Sequence, residues 1–87
     1  MNKELFYKVF NTLNKVESKK DLEKLNFQLV DFEYAKAVFY NLQDSFNANK
    51  GKKAETRTII KPVADFYKKA GFKVTDKNGI FYLSFAV

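Results

Sequence analysis

The stretch FKVTDKNGIFYLSF (72–85) constrains the fold more than any other. Asn-Gly between two runs of alternating apolar residues is the strongest short-range hairpin signal, because both residues tolerate the positive φ of a type I′ turn. Placing that turn at Asn78-Gly79 sets the register. Lys77 lies opposite Ile80, Thr75 opposite Tyr82, Val74 opposite Leu83, Lys73 opposite Ser84 and Phe72 opposite Phe85. Side chains alternate across a strand. Phe72, Val74, Phe81, Leu83 and Phe85 therefore form an apolar face that belongs to the core. Lys73, Thr75, Lys77, Tyr82 and Ser84 form a polar, basic face. A longer turn changes the partners but not the two faces.

The rest of the chain reads as helical. Leu5, Phe6, Val9, Phe10, Leu13 and Val16 recur at helical spacing, so a first helix is expected over about 2–16. Ser18 with Asp21 three residues on has the form of a capping box for a short helical turn. FQLV (27–30) alternates and is read as a possible short strand. Asp31 then caps a helix to about residue 46, with Phe32, Ala35, Val38, Phe39, Leu42 and Phe46 inward. The polar run NANKGKKAET (47–56) is expected to be a mobile basic loop. A third main helix is placed at about 58–70, with Ile59, Ile60, Val63, Phe66, Tyr67 and Ala70 inward and Gly71 just past its end. Pro62 fits its first turn if Thr58 is the N-cap. A competing reading makes TRTII a strand and starts the helix at Pro62. The expectation is one α+β domain of three main helices followed by a C-terminal β-hairpin at 72–86.

Charge narrows the function. Of the 16 Lys and Arg and 10 Asp and Glu, residues 1–48 hold seven of each. The whole net charge of +6 therefore belongs to residues 49–87. Such asymmetry points to a polyanionic partner, although lysine is also a common solubilising residue. The chain has no Cys and no His. It thus lacks thiolate chemistry and the commonest general base and metal ligand. There is no paired-carboxylate arrangement on an inward face, no P-loop in NKGKK and no metal-ligand spacing. The expectation is a protein without enzymatic activity, cofactor or metal. The first ten residues alternate charge with bulk and show no secretory h-region. No run approaches the roughly 18 apolar residues of a membrane span. A cytoplasmic address and no membrane partner are expected.

The order helix, short strand, helix, helix, hairpin resembles that of a winged helix. In that family pattern the third helix is the recognition helix and the hairpin is the wing. The resemblance covers most of the chain but is one of order alone, without a family motif. The connection 47–56 is longer than the three or four residues usual in a helix-turn-helix. On a helical wheel Arg57, Lys61 and Lys68 fall within about 40° of one another, opposite the inward face, with Lys69 and Asp65 to one side. With Lys73 and Lys77 on the hairpin and Lys50, Lys52 and Lys53 in the loop, they compose a face able to follow a phosphate backbone.

Tyr7, Tyr34, Tyr40 and Tyr82 fall outside or at the margin of the apolar faces. Tyr82, between Lys73 and Lys77, offers a ring on which a base can stack, as in single-strand binding. The plainer role of such a tyrosine is to pack on neighbouring stems with its hydroxyl wet. A single Arg gives little basis for reading guanine edges. The expected function is a small nucleic-acid-binding protein, for DNA in preference to RNA, through the basic third helix and hairpin, with non-sequence-specific single-strand binding as one form of it. The alternative is an inhibitor or adaptor, of the kind carried by phages and mobile elements, that binds a host or replication protein. Abundant Lys, Asn and Phe with few Gly, Pro and Arg is the composition of an AT-rich coding sequence and suits that origin. The aromatic residues outside the core are also suited to a homodimer seam.

Overall fold

The structure is a computed structural model that describes residues 2–87. It is α+β, with four helices and a three-stranded antiparallel sheet. The helices are α1 (Asn2–Asn14), α2 (Lys19–Lys24), α3 (Leu29–Ala48) and α4 (Lys61–Ala70). The strands are β1 (Lys53–Thr58), β2 (Lys73–Lys77) and β3 (Ile80–Ala86), in the spatial order β1-β3-β2.

The hairpin forms in the expected register, with Thr75 opposite Tyr82 and Lys77 opposite Ile80. Asn78 and Gly79 take φ of 55° and 83°, and Asp76 Oδ1 accepts the Gly79 N–H at 3.1 Å. Those φ values are the ones a type I′ turn requires. The Ser18–Asp21 capping box also forms and starts α2. The Asp21 carboxyl sits below its ordinary pKa, first because it accepts the Glu17 N–H and then through the Ser18 hydroxyl.

The middle of the chain differs from the sequence reading in four ways. No strand forms over 27–30. Phe27 turns inward and its N–H donates to Leu22 O at 2.9 Å, while Leu29 and Val30 open α3 with exposed side chains. Asp31 is consequently the third residue of α3, and its carboxylate accepts the Gln28 N–H from inside the helix. The segment 47–56 is not a loop throughout. The helix runs to Ala48, a short turn follows in which Lys50 and Gly51 take positive φ, and β1 begins at Lys53. Finally, 58–60 is not helical. Thr58 ends β1, Ile59 lies exposed in the connection, and Pro62 stands in the first turn of α4. That agrees in part with the competing reading of TRTII: Thr56–Thr58 are strand, whereas Ile59 and Ile60 lie in the connection and the helix begins at Lys61.

The strand was hidden because its inward residues are small. Ala54, Thr56 and Thr58 face the core, and Lys53, Glu55 and Arg57 face outward. Ala54 is completely buried. An inward row of Ala and Thr gives little hydrophobic periodicity, yet it lets α3 lie close along β1. The Glu55 N–H donates to Ser45 Oγ on α3 at 3.0 Å. A backbone donor on the outer edge of the sheet is thereby satisfied, and α3 covers an edge that would otherwise be open to pairing with another chain.

The core lies between the inner face of this sheet and α1, α3 and α4. Phe6 touches the rings of Phe39, Phe46, Phe72 and Phe85 with centroids 4.9–6.2 Å apart, mostly edge to face. Such pairs add to area burial alone. Tyr67 of α4 is fully buried, with its ring 5.4 Å from that of Phe72 and its hydroxyl donating to Ala35 O on α3 at 2.7 Å. Burial pushes its phenol pKa well above the ordinary value.

Tyr67→Phe keeps the ring and removes the bond, so it should cost about 1 kcal/mol in urea unfolding. The phenol also makes stability pH-dependent. A folded pKa above the unfolded value of about 10 leaves stability whole below pH ~10 and erodes it as pH rises further. Tyr67→Phe should remove its share of that alkaline loss, read by unfolding titrations on either side of pH 10.

Candidate nucleic-acid interface

Residues directly opposite in an antiparallel sheet share a face, with Cβ atoms roughly 5 Å apart. The outer face therefore follows from the register. Arg57, Tyr82 and Thr75 form one row across β1, β3 and β2, and Glu55, Ser84 and Lys73 form the next. Lys53 beside Ala86 and Lys77 beside Ile80 complete it. No helix covers this face. The helices pack on the opposite side, where Ala54, Leu83 and Phe72 are buried with Val63, Ala64 and Tyr67 of α4.

Tyr82 stands on the central strand and is 39% exposed. Lys77 Nζ lies 5.7 Å from its ring centroid. Four cations (Lys53, Arg57, Lys73, Lys77) share the face with one carboxylate, Glu55. Lys53 Nζ approaches Glu55 Oε1 at 3.5 Å, the sole ion pair among the described residues. Both partners are more than half exposed, so the pair is weak. Asp76 falls on the other parity and is used in the turn. The result is a positively charged surface with one aromatic ring at its centre.

The expected site residues are thus divided among three places. Arg57, Lys73, Lys77 and Tyr82 come together on the outer sheet face, and Lys53, read as a loop residue, joins them on β1. Arg57 leaves the α4 stripe because residue 57 belongs to the strand, so the helical alignment of Arg57 with Lys61 and Lys68 does not exist. Lys61, Lys68 and Lys69 are exposed on α4, which packs on the inner face. They point away from Tyr82. Lys50 and Lys52 lie in the turn between α3 and β1. Thr75, Ile80 and Ser84 complete the surface around Tyr82; their alternation with the apolar hairpin residues was the available signal.

Tyr7, Tyr34 and Tyr40 are exposed as expected, and Phe10 lies against Phe39 beside Tyr40 at the α1–α3 surface. Among the described residues no cluster of three or more His, Cys, Asp or Glu is placed to hold a metal. No helix among the described residues is long and apolar enough to cross a membrane.

No protein-family model matches the chain, and neither a curated protein nor a solved structure is significantly similar to it.

The two-face assignment makes a direct prediction for stability. Tyr82→Ala should cost less than about 1 kcal/mol, the scale of a cross-strand pair. Its neighbour Leu83→Ala, on the buried face, should cost about 2–5 kcal/mol. Thermal or urea unfolding of both variants checks this, and equal losses would mean that Tyr82 is a core residue.

Proposed function

We propose that the protein binds nucleic acid through the outer face of its sheet, and that the ligand is a single strand, DNA in preference to RNA, held without sequence specificity. The observation that carries this reading is Tyr82 on the central strand with Arg57, Lys53, Lys73 and Lys77 around it on one uncovered face. A base stacking on Tyr82 gains contact that every base can supply. The flanking cations sit on β1 and β2, on both sides of the ring, where they neutralise phosphates before and after that base. A base on the ring displaces the Lys77 ammonium, which then moves to a neighbouring phosphate.

A winged-helix-like form of the same reading makes the β2–β3 hairpin the wing and α4 the helix presented to a duplex. Two features favour the sheet face instead. The cations of α4 point away from those of the hairpin, so one groove cannot collect both sets. The connection between α3 and α4 contains a whole strand, where a helix-turn-helix needs a short turn.

Fluorescence anisotropy with labelled random oligonucleotides tests the proposal. Single-stranded DNA should bind more tightly than duplex or RNA, and with four phosphates neutralised log K should fall with log salt at a slope of about −3. Tyr82→Ala should weaken binding by about 5- to 150-fold, the effect of losing one stacked base. Arg57→Glu should weaken it and flatten the salt slope, while Lys61→Glu with Lys68→Glu should leave it unchanged. Absence of binding to all three nucleic acids at low salt rejects the proposal. Loss on the α4 changes but not on the Tyr82 change transfers the site to the helix.

A further inference from the structure

A groove of about 770 Å3 separates α1, the end of α2 and α4. Lys24, at the end of the short α2, borders it. That helix has six residues and buries none of them. The chain leaves it through Leu25 and Asn26, the latter at φ 58°, and turns away into α3. Leu25, Phe66 and Ala70, each partly exposed, form an apolar floor with Val9 buried beneath it. Around it stand Lys8, Lys24, Lys68 and Lys69, all exposed, with Asp65 the one carboxylate in the lining. None of these lysines is in an ion pair among the described residues. The floor attracts apolar side chains and the rim attracts carboxylates.

We propose that this groove docks an acidic, amphipathic peptide segment of a partner protein, as a helix whose apolar stripe faces Leu25, Phe66 and Ala70. Charge complementarity selects the partner: an uncompensated lysine rim meets Asp and Glu flanking the apolar stripe. The chemistry of the floor selects peptide over nucleic acid. It is aliphatic apart from Phe66, whose ring is already packed on Phe27 and Tyr67 at 5.3 and 5.1 Å and is not a free platform for a base. This site shares no residue with the outer sheet face and does not rest on the nucleic-acid reading. It gives the α4 cations Lys68 and Lys69 a separate task, and it makes the molecule two-sided.

A displayed random-peptide library of about 16-residue segments, selected on the full chain, tests the inference. Recovered peptides should carry net negative charge, with apolar residues at i, i+3 or i+4 and i+7. A recovered peptide should lose about tenfold or more in affinity against Lys68→Glu with Lys69→Glu. Lys8→Glu with Lys24→Glu should act in the same direction from the other bank. Tyr82→Ala should leave affinity unchanged, and backbone amide shifts on binding should concentrate at Thr12, Asn26 and Ala70. Both double variants change only exposed side chains, and far-UV circular dichroism confirms folding before binding is read. Enrichment of basic or neutral peptides, no enrichment, or indifference to both charge reversals overturns the proposal. So does laurate binding in the groove that depends on the same lysines while no peptide binds there.

Discussion

Tyr67 ties α4 to two elements at once. Its ring packs edge to face on Phe72, the residue that leads into β2, and its hydroxyl bonds the backbone of α3 at Ala35. A fully buried hydroxyl without a partner is costly, so α4 has one depth and one rotation at which this side chain is satisfied. The chain on either side is short. Two residues join β1 to α4 and two join α4 to β2. Fixing α4 therefore fixes β1 and β2 as the outer strands, both antiparallel to β3 between them. The phenol pKa moves upward for the same reason that the bond matters, since burial penalises the charged phenolate.

The sheet's two faces follow from that placement. Helices occupy one side, and the outer side is left with short polar, cationic and aromatic side chains. The edge at β1 is covered by α3 through Ser45 and Glu55, so the exposed part of the sheet is its face and not that edge. The groove between α1 and α4 is lined by none of the residues of that outer face. The two surfaces differ in chemistry. One has a ring among cations, suited to bases and phosphates. The other has an aliphatic floor within a lysine rim, suited to an acidic helix.

Much of the fold was legible locally. The hairpin register followed from Asn78-Gly79, because a two-residue turn and a period of two leave no freedom in pairing. The first helix, the long helix and the Ser18–Asp21 box followed from helical spacing and cap chemistry. Strand β1 was not legible in its hydrophobicity. Ala54 and Thr58 are buried and Thr56 half-buried on the side where α3 packs, and a small residue under a helix carries no bulk to betray it. FQLV misled in the opposite sense, since its alternation suggested a strand while Leu29 and Val30 open a helix with exposed side chains. Ile59 looked like a core residue and is exposed, since it falls in the two-residue connection where chain direction outranks hydrophobicity.

The candidate site divides along the same line. Sequence alone determined the concentration of positive charge in residues 49–87, the polar face of the hairpin and the place of Tyr82 on it, since each is a matter of counting or of alternation. Only the tertiary structure decided that Arg57 and Lys53 join Tyr82 while Lys61, Lys68 and Lys69 do not. The pairing of β1 with β3 is a contact between residues far apart in the chain, and no local period encodes which side of a sheet a helix will cover. The groove depended on the same kind of information. Lys8, Lys24 and Lys69 come from three helices and share a rim only because the core beneath them draws those helices together.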